Sequence, residues 1–182
     1  MGLELVGLTL RIEETFAIQI PDDVAYRLTT PRQVTDYILT QVGESQFRLP
    51  CLSQRAFHLL RQNFLRHLSL QRHQFKPNTA LKEIVPAEAG NDIWTAIGLS
   101  AGVQNWPTMS RPKWLVFIPS TVKTVRDLVE HVVTNEPLVV KGEEAEWTRS
   151  QVWEVLRRVI IDETVVVDFS EDSRFVQDMG LD

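Results

Sequence analysis

Cysteine is nearly absent from this chain. Its 182 residues hold one, Cys51, which excludes an internal disulfide and favours a reducing compartment. A small residue just ahead of a helix accounts for it better than catalysis does. No apolar run approaches the roughly 20 residues that cross a bilayer, and the first residues lack the pattern of a secretory leader. The expectation is a soluble, cytoplasmic protein with no membrane partner. Histidine is scarce too, with His58, His67, His73 and His131. His67 and His73 stand six apart, off the spacing of one helical face, and no carboxylate or cysteine cluster accompanies them. No metal site is therefore expected. Low-complexity segments are also missing.

What is present is apolar residues and divided charge. The apolar fraction of 43% suffices for packed cores, and the length allows one domain or two small ones. The net charge of -5 conceals a sharp division. Residues 1–44 hold 3 basic and 7 acidic side chains, residues 45–135 hold 11 and 5, and residues 136–182 hold 5 and 12. Both ends are acidic around a basic centre. Arg111-Pro112-Lys113-Trp114, with Arg61, Arg66 and Arg72, has the charge and ring of a nucleic-acid contact. The basic excess is modest and the whole chain is acidic, so no nucleic-acid partner is expected. Trp94, Trp106 and Trp114 read as packing residues.

Periodicity predicts helices. In residues 3–16, Leu3, Val6, Leu10 and Glu13 share a face, and Leu5, Leu8, Ile12 and Phe16 widen the apolar stripe. Pro21 is expected to stop that helix. Thr30 is a good N-cap with Pro31 at the first helical position, followed by Val34, Tyr37, Ile38 and Val42 at helical spacing. Thr148 and Gln151 form a capping box ahead of Val152, Trp153, Val155, Leu156, Val159 and Ile160. The β-branched run 164–168 permits a strand.

The two ends of the chain read best together. Asp178-Met179-Gly180-Leu181-Asp182 followed by Met1-Gly2-Leu3-Glu4-Leu5 resembles the Gly-Leu-Asp-Ser-Leu-Glu-Leu signature of acyl carrier proteins, cut at its serine. Residues 3–16 resemble that family's second helix. Ala17 to Asp23 resembles the link into its third, and Thr29-Thr30-Pro31 the start of its fourth. Residues 148–182, ending in Asp172-Ser173-Arg174-Phe175-Val176-Gln177-Asp178-Met179-Gly180-Leu181-Asp182, are similar to its first helix and long loop. The resemblance therefore implies an all-α fold. Residues 1–44 and 146–182 would form one four-helix bundle in permuted order, and residues 51–135 would be a degenerate carrier-like domain between them. It makes 164–168 an extended loop that turns one or two valines inward. Residues 137–146 read as a connector.

The middle stretch carries the mark of an internal repeat. Ser53–Leu65 parallels Arg149–Ile161, pairing Phe57 with Trp153, Leu60 with Leu156 and Arg61 with Arg157. Phe75-Lys76-Pro77-Asn78-Thr79 parallels Phe169-Ser170-Glu171-Asp172-Ser173. Ile118-Pro119 echoes Ile20-Pro21, and Thr124-Val125-Arg126-Asp127-Leu128 echoes Thr30-Pro31-Arg32-Gln33-Val34. The third helix is expected to be lost from this copy, with residues 91–99 as its second.

In the family a serine carries phosphopantetheine; here Gly2 stands at that position, beside Leu3 and Asp182. Such attachment needs a hydroxyl at a helix start, where phosphate meets free N–H groups. The nearest hydroxyl, Thr9, lies about two turns inside the helix. The expectation is no cofactor and no enzymatic activity. The resemblance implies a docking or regulatory module in fatty acid, polyketide or peptide synthesis, meeting enzymes of those pathways or a phosphopantetheinyl transferase. Glu4, Val6, Leu10, Glu13 and Glu14 would form its partner face. Gly7 and Arg11 depart from the family there, replacing a residue that is often acidic and one that is small and apolar. A genuine carrier whose serine comes from outside this chain is one alternative. Gly98-Leu99-Ser100-Ala101-Gly102 matches a hydrolase elbow, making a small serine hydrolase using Ser100 another. The residues around it do not form strand-turn-helix, and a helix end with Gly102 as C-cap explains it as well. The tether between the ends is long enough for closure within one chain or for a domain-swapped homodimer.

Overall fold

Three helix starts in this chain are fixed by side chains that cap free N–H groups. The Thr30 hydroxyl accepts from Gln33 N–H, Thr124 and Asp127 form a reciprocal capping box, and so do Thr148 and Gln151. The computed structural model describes residues 2–45, 49–85, 90–108, 122–142 and 146–181. It is all-α: among these residues there are nine helices and no strand. They are α1 (Leu3–Phe16), α2 (Asp22–Ala25), α3 (Pro31–Val42), α4 (Leu52–His67), α5 (Leu81–Ile84), α6 (Gly90–Ala101), α7 (Val125–Asn135), α8 (Pro137–Lys141) and α9 (Arg149–Thr164). The chain divides into two compact units, Met1–Cys51 with Gly142–Asp182, and Leu52–Lys141.

In the first unit α9 packs against both α1 and α3. Its core takes Leu8, Ile12 and Phe16 from α1, and Val34, Ile38 and Leu39 from α3. Val152, Val155, Leu156, Val159 and Ile160 come from α9. Each fully buried Leu or Ile contributes about 1.5–3 kcal/mol, so helices far apart in sequence are joined by apolar burial. Trp147, 2% exposed, sets its ring against Phe16 at 5.3 Å between centroids. Backbone bonds stitch the same seam: Ser45 N–H donates to Trp147 O (2.8 Å), and Trp147 N–H to Gly43 O (3.2 Å).

Two local expectations are corrected. The helix α1 ends at Phe16, before Pro21, because Ala17 turns left-handed (φ 53°) and Ile18 N–H closes on Glu13 O. The run 164–168 begins inside α9, which reaches Thr164, and the loop after it turns no valine into the core. Val165 and Val167 are 81% and 62% exposed, and Val166 is half-buried. Val165 caps α9 at φ 61°, a conformation that a β-branched residue adopts at a cost of about 1–2 kcal/mol. Replacing it with glycine removes that strain but adds unfolded-state entropy. Val165→Gly is expected to raise stability by roughly 0.5–1 kcal/mol; a lowered melting temperature would contradict the strained cap.

In the second unit α4 is the hub, packing against α6, α7 and α8. Leu52, Ala56, Leu60 and Phe64 of α4 meet Ile97, Leu128 and Val132 in a core that also buries Trp94 and Phe75. The expected second helix of this copy, 91–99, lies within α6. Residues 137–141, expected as connector, instead form α8. Pro137 suits a first helical turn, and Pro137 and Val140 are buried. Met1, Asp182, Ile118-Pro119, Arg111-Pro112-Lys113-Trp114 and Glu143-Glu144 lie outside the described residues.

Candidate functional site

Gly2 is the N-cap of α1, extended (φ -74°, ψ 174°), half-exposed and without a side chain to cap the helix. The first N–H groups of α1 therefore begin beside a residue that has no hydroxyl. Thr9 cannot substitute: its hydroxyl donates to Leu5 O at 2.8 Å, within the helix. Asp182 lies outside the described residues, but the tail that leads to it is well anchored. Phe175 N–H donates to Thr29 O (3.0 Å), Leu181 N–H to Phe175 O (2.9 Å), and both side chains are buried.

The outer face of α1 is apolar and acidic. Leu3, Val6 and Leu10 are 89%, 37% and 55% exposed, which is unusual for such side chains on a helix whose other face is core. Glu4 and Glu14 are exposed at the two ends of this stripe. Glu13 is different. It is half-buried, and its carboxylate accepts from Ile20 N–H at 2.6 Å, fastening the loop after α1. Arg11 lies 3.6 Å from Glu14 and 3.7 Å from Glu163 on α9.

A cavity of about 220 Å³ opens on the opposite side of α1. Leu5, Leu8 and Ile12 form one wall, Ile20, Ala25 and Leu28 another, and Phe175 closes it from the tail. An apolar cavity of about 150 Å³ admits benzene, so this one has room for a small apolar group. Among the described residues no charged side chain lines it. The sequence stripe predicted a buried face for Leu5, Leu8 and Ile12, but it could not show that the three would fail to fill their space.

The two units share a set of contacts at the positions that the sequence repeat aligns. Arg32 N–H donates to Glu171 O at 2.8 Å; its counterpart Arg126 N–H donates to Pro77 O at 2.8 Å. The Arg32 guanidinium binds the Asp172 carboxylate, and the Arg126 guanidinium binds the Asn78 amide oxygen at 3.3 Å. Phe57 stacks near Phe75, and Trp153 near Phe169, at 5.5 and 6.1 Å. These are long-range contacts at matched places in two different stretches of chain.

In the first unit the arginines gather carboxylates. Glu171 lies 3.2 Å from Arg32 and 3.5 Å from Arg149, and Arg149 also reaches Asp36 at 2.6 Å. Sequence reading did not anticipate this cluster, whose members lie far apart in the chain. The hydrogen bond from Arg32 holds the Asp172 carboxyl below its ordinary 3.8, against a smaller opposing effect of desolvation. Backbone and side-chain bonds from Arg174 do the same for Asp178. At Asp127 desolvation pushes upward, but bonds from Lys123 and Thr124 outweigh it and lower the pKa. A carboxyl with a lowered folded-state pKa supports folding above its unfolded value and loses that support as the pH falls. Stability should therefore be flat from pH 7 to 5 and decline below about pH 4. Urea midpoints that did not change between pH 6 and pH 2.5 would contradict these assignments.

Ser100 is the second-last residue of α6. Its hydroxyl has acceptors in Asn63 Oδ1 (2.5 Å) and Ile97 O (3.3 Å), and His67 Nε2 lies 3.0 Å away. A hydroxyl has one proton, and here two oxygens compete with the histidine for it. The C-terminal end of a helix offers free carbonyls, not the N–H donors that an oxyanion requires. Both motif glycines have structural reasons. A Cβ on Gly98 would stand less than 3 Å from atoms of the Trp106 ring, and Gly102 caps α6 at φ 73°. Among the described residues no group of three metal-ligating side chains occurs, and no helix is long and apolar enough to cross a membrane. No protein-family model and no solved structure matches this chain.

Proposed function

We propose that this protein is an acyl-carrier-like module without a phosphopantetheine arm, serving as a docking or regulatory partner in acyl, polyketide or peptide synthesis. The observation that carries this reading is the first unit, in which residues from both chain ends pack together with a glycine at the start of α1. Helices α9, α1, α2 and α3, taken in that order, give the helix order that the resemblance implies. The matched hydrogen bonds of Arg32 and Arg126 support a degenerate second copy in the middle.

The partner face is the exposed stripe of Leu3, Val6 and Leu10 between Glu4 and Glu14. Glu13 contributes less to it, because its carboxylate is already occupied by Ile20 N–H. Binding there would pair apolar contact with a basic rim on the partner. The geometry of Ser100 supports a helix-packing role for its hydroxyl more than a nucleophilic one.

The reading is tested by intact mass. After incubation with coenzyme A and a phosphopantetheinyl transferase, the protein should keep its mass. Addition of one phosphopantetheinyl group would overturn the armless reading. An activity-based serine probe that labelled the native chain at Ser100 would favour the hydrolase.

A further inference from the structure

From Ser45 to Lys82 the chain has no aspartate or glutamate. The structure gathers part of this acid-free stretch with a second cationic segment. The isolated bridge between Ala80 and Thr124 sets Leu81 N–H on Lys123 O (2.9 Å), Val125 N–H on Thr79 O (3.0 Å) and Arg126 N–H on Pro77 O (2.8 Å). The loop before it folds back on itself, with the Thr79 hydroxyl donating to Gln74 O at 2.9 Å. Arg72, His73, Lys76, Lys82, Lys123 and Arg126 are thereby exposed on this part of the second unit.

These cations are poorly compensated. Among the described residues none of the five lysines and arginines takes part in an ion pair. Asp127 offsets Lys123 in part, but its carboxylate faces the backbone N–H groups that begin α7. Glu83, and Glu130 one turn after Arg126 on α7, are exposed carboxylates in the same stretches, but among the described residues neither forms an ion pair with these cations. The aligned surface of the first unit has the opposite character. There Ser170, Glu171 and Asp172 stand where Lys76, Pro77 and Asn78 stand here, and Arg32 is paired with Glu171 and Asp172. Arg126 has only the neutral Asn78 in place of a carboxylate.

We propose that this cationic surface docks the outer face of α1 in a second copy of the same chain. The proposal rests on the docking face described above and names its partner. Charge complementarity supports it: the first unit holds 8 basic and 18 acidic residues, and the second 11 and 6. Leu3, Val6 and Leu10 give the acidic face an apolar centre that a rim of Lys76, Lys82 and Arg126 can surround. Among the described residues Phe75, the ring next to Lys76, is buried, so it offers no stacking platform of the kind a single-strand binder uses. An association led by surface charge belongs to the weak, transient class and weakens with salt.

Sedimentation velocity of the full chain over a concentration series tests this. At low salt the protein should self-associate, and high salt should return it to monomer. Lys76→Glu with Arg126→Glu, and separately Glu4→Lys with Glu14→Lys, should each weaken association by at least about tenfold. A mixture of the two variants should restore it, since the reversed charges again face each other. Circular dichroism should show both variants folded, because all four side chains are exposed. A chain monomeric at low salt at every concentration overturns the proposal. So does a mixture that stays monomeric, association that ignores salt, or a patch that prefers duplex DNA to a second copy. None of these outcomes changes the mass measurement, so the armless reading stands or falls separately.

Discussion

Leu156→Ala is expected to lower the stability of the first unit by about 2–5 kcal/mol, as large-to-small changes at fully buried sites do. Leu156 is 0% exposed on α9, the helix that packs against both α1 and α3. The removed methyl groups leave a space that helices from two distant parts of the chain would have to collapse to fill. Scanning calorimetry is expected to show a lowered transition containing α1, α3 and α9, with the transition of the second unit unmoved. Loss of α9 helicity alone, with α1 and α3 intact, would show that the ends do not depend on one another.

Gly98→Ala should have the complementary effect. The added Cβ would meet the Trp106 ring at three atoms, and that ring is held by Trp94 at 4.9 Å between centroids, itself buried and bonded to Pro107 O. A ring packed this way has little room to retreat, so overpacking should cost about 1–3 kcal/mol despite the better helix propensity of alanine. The lower melting transition should now belong to the second unit. An unchanged or raised transition would mean that the Trp106 ring is free to shift, and that Gly98 has no packing role.

Much of the fold was legible in the sequence because it rests on local signals. The threonine caps at 30 and 148 and the apolar stripes of α1, α3 and α9 need only near neighbours. The all-α class was what the family resemblance implied, and these local signals agree with it. Other features depend on tertiary context. The left-handed turn at Ala17 ends α1 through a bond to Glu13 O, and no glycine or asparagine announces it. Valine at 165 in the same conformation contradicts the propensity rule outright. Residues 137–146 read as a connector, yet Pro137 starts α8 and is buried with Val140. At the candidate site, the exposure of Leu3, Val6 and Leu10 was implicit in a stripe too wide to bury on both sides. Glu13 looked equivalent to Glu14 by spacing; only the loop folding back to Ile20 separates them. The cluster of Arg32, Arg149, Asp36 and Glu171 joins four positions that no sequence window spans.

Native-state hydrogen exchange tests most directly whether the two chain ends form one cooperative unit. Amides of α1, α3 and α9 should open together with a common free energy, and Leu156→Ala should lower all three equally. Protection of α9 that persisted while α1 and α3 exchanged freely, or a Leu156→Ala effect confined to α9, would contradict the account.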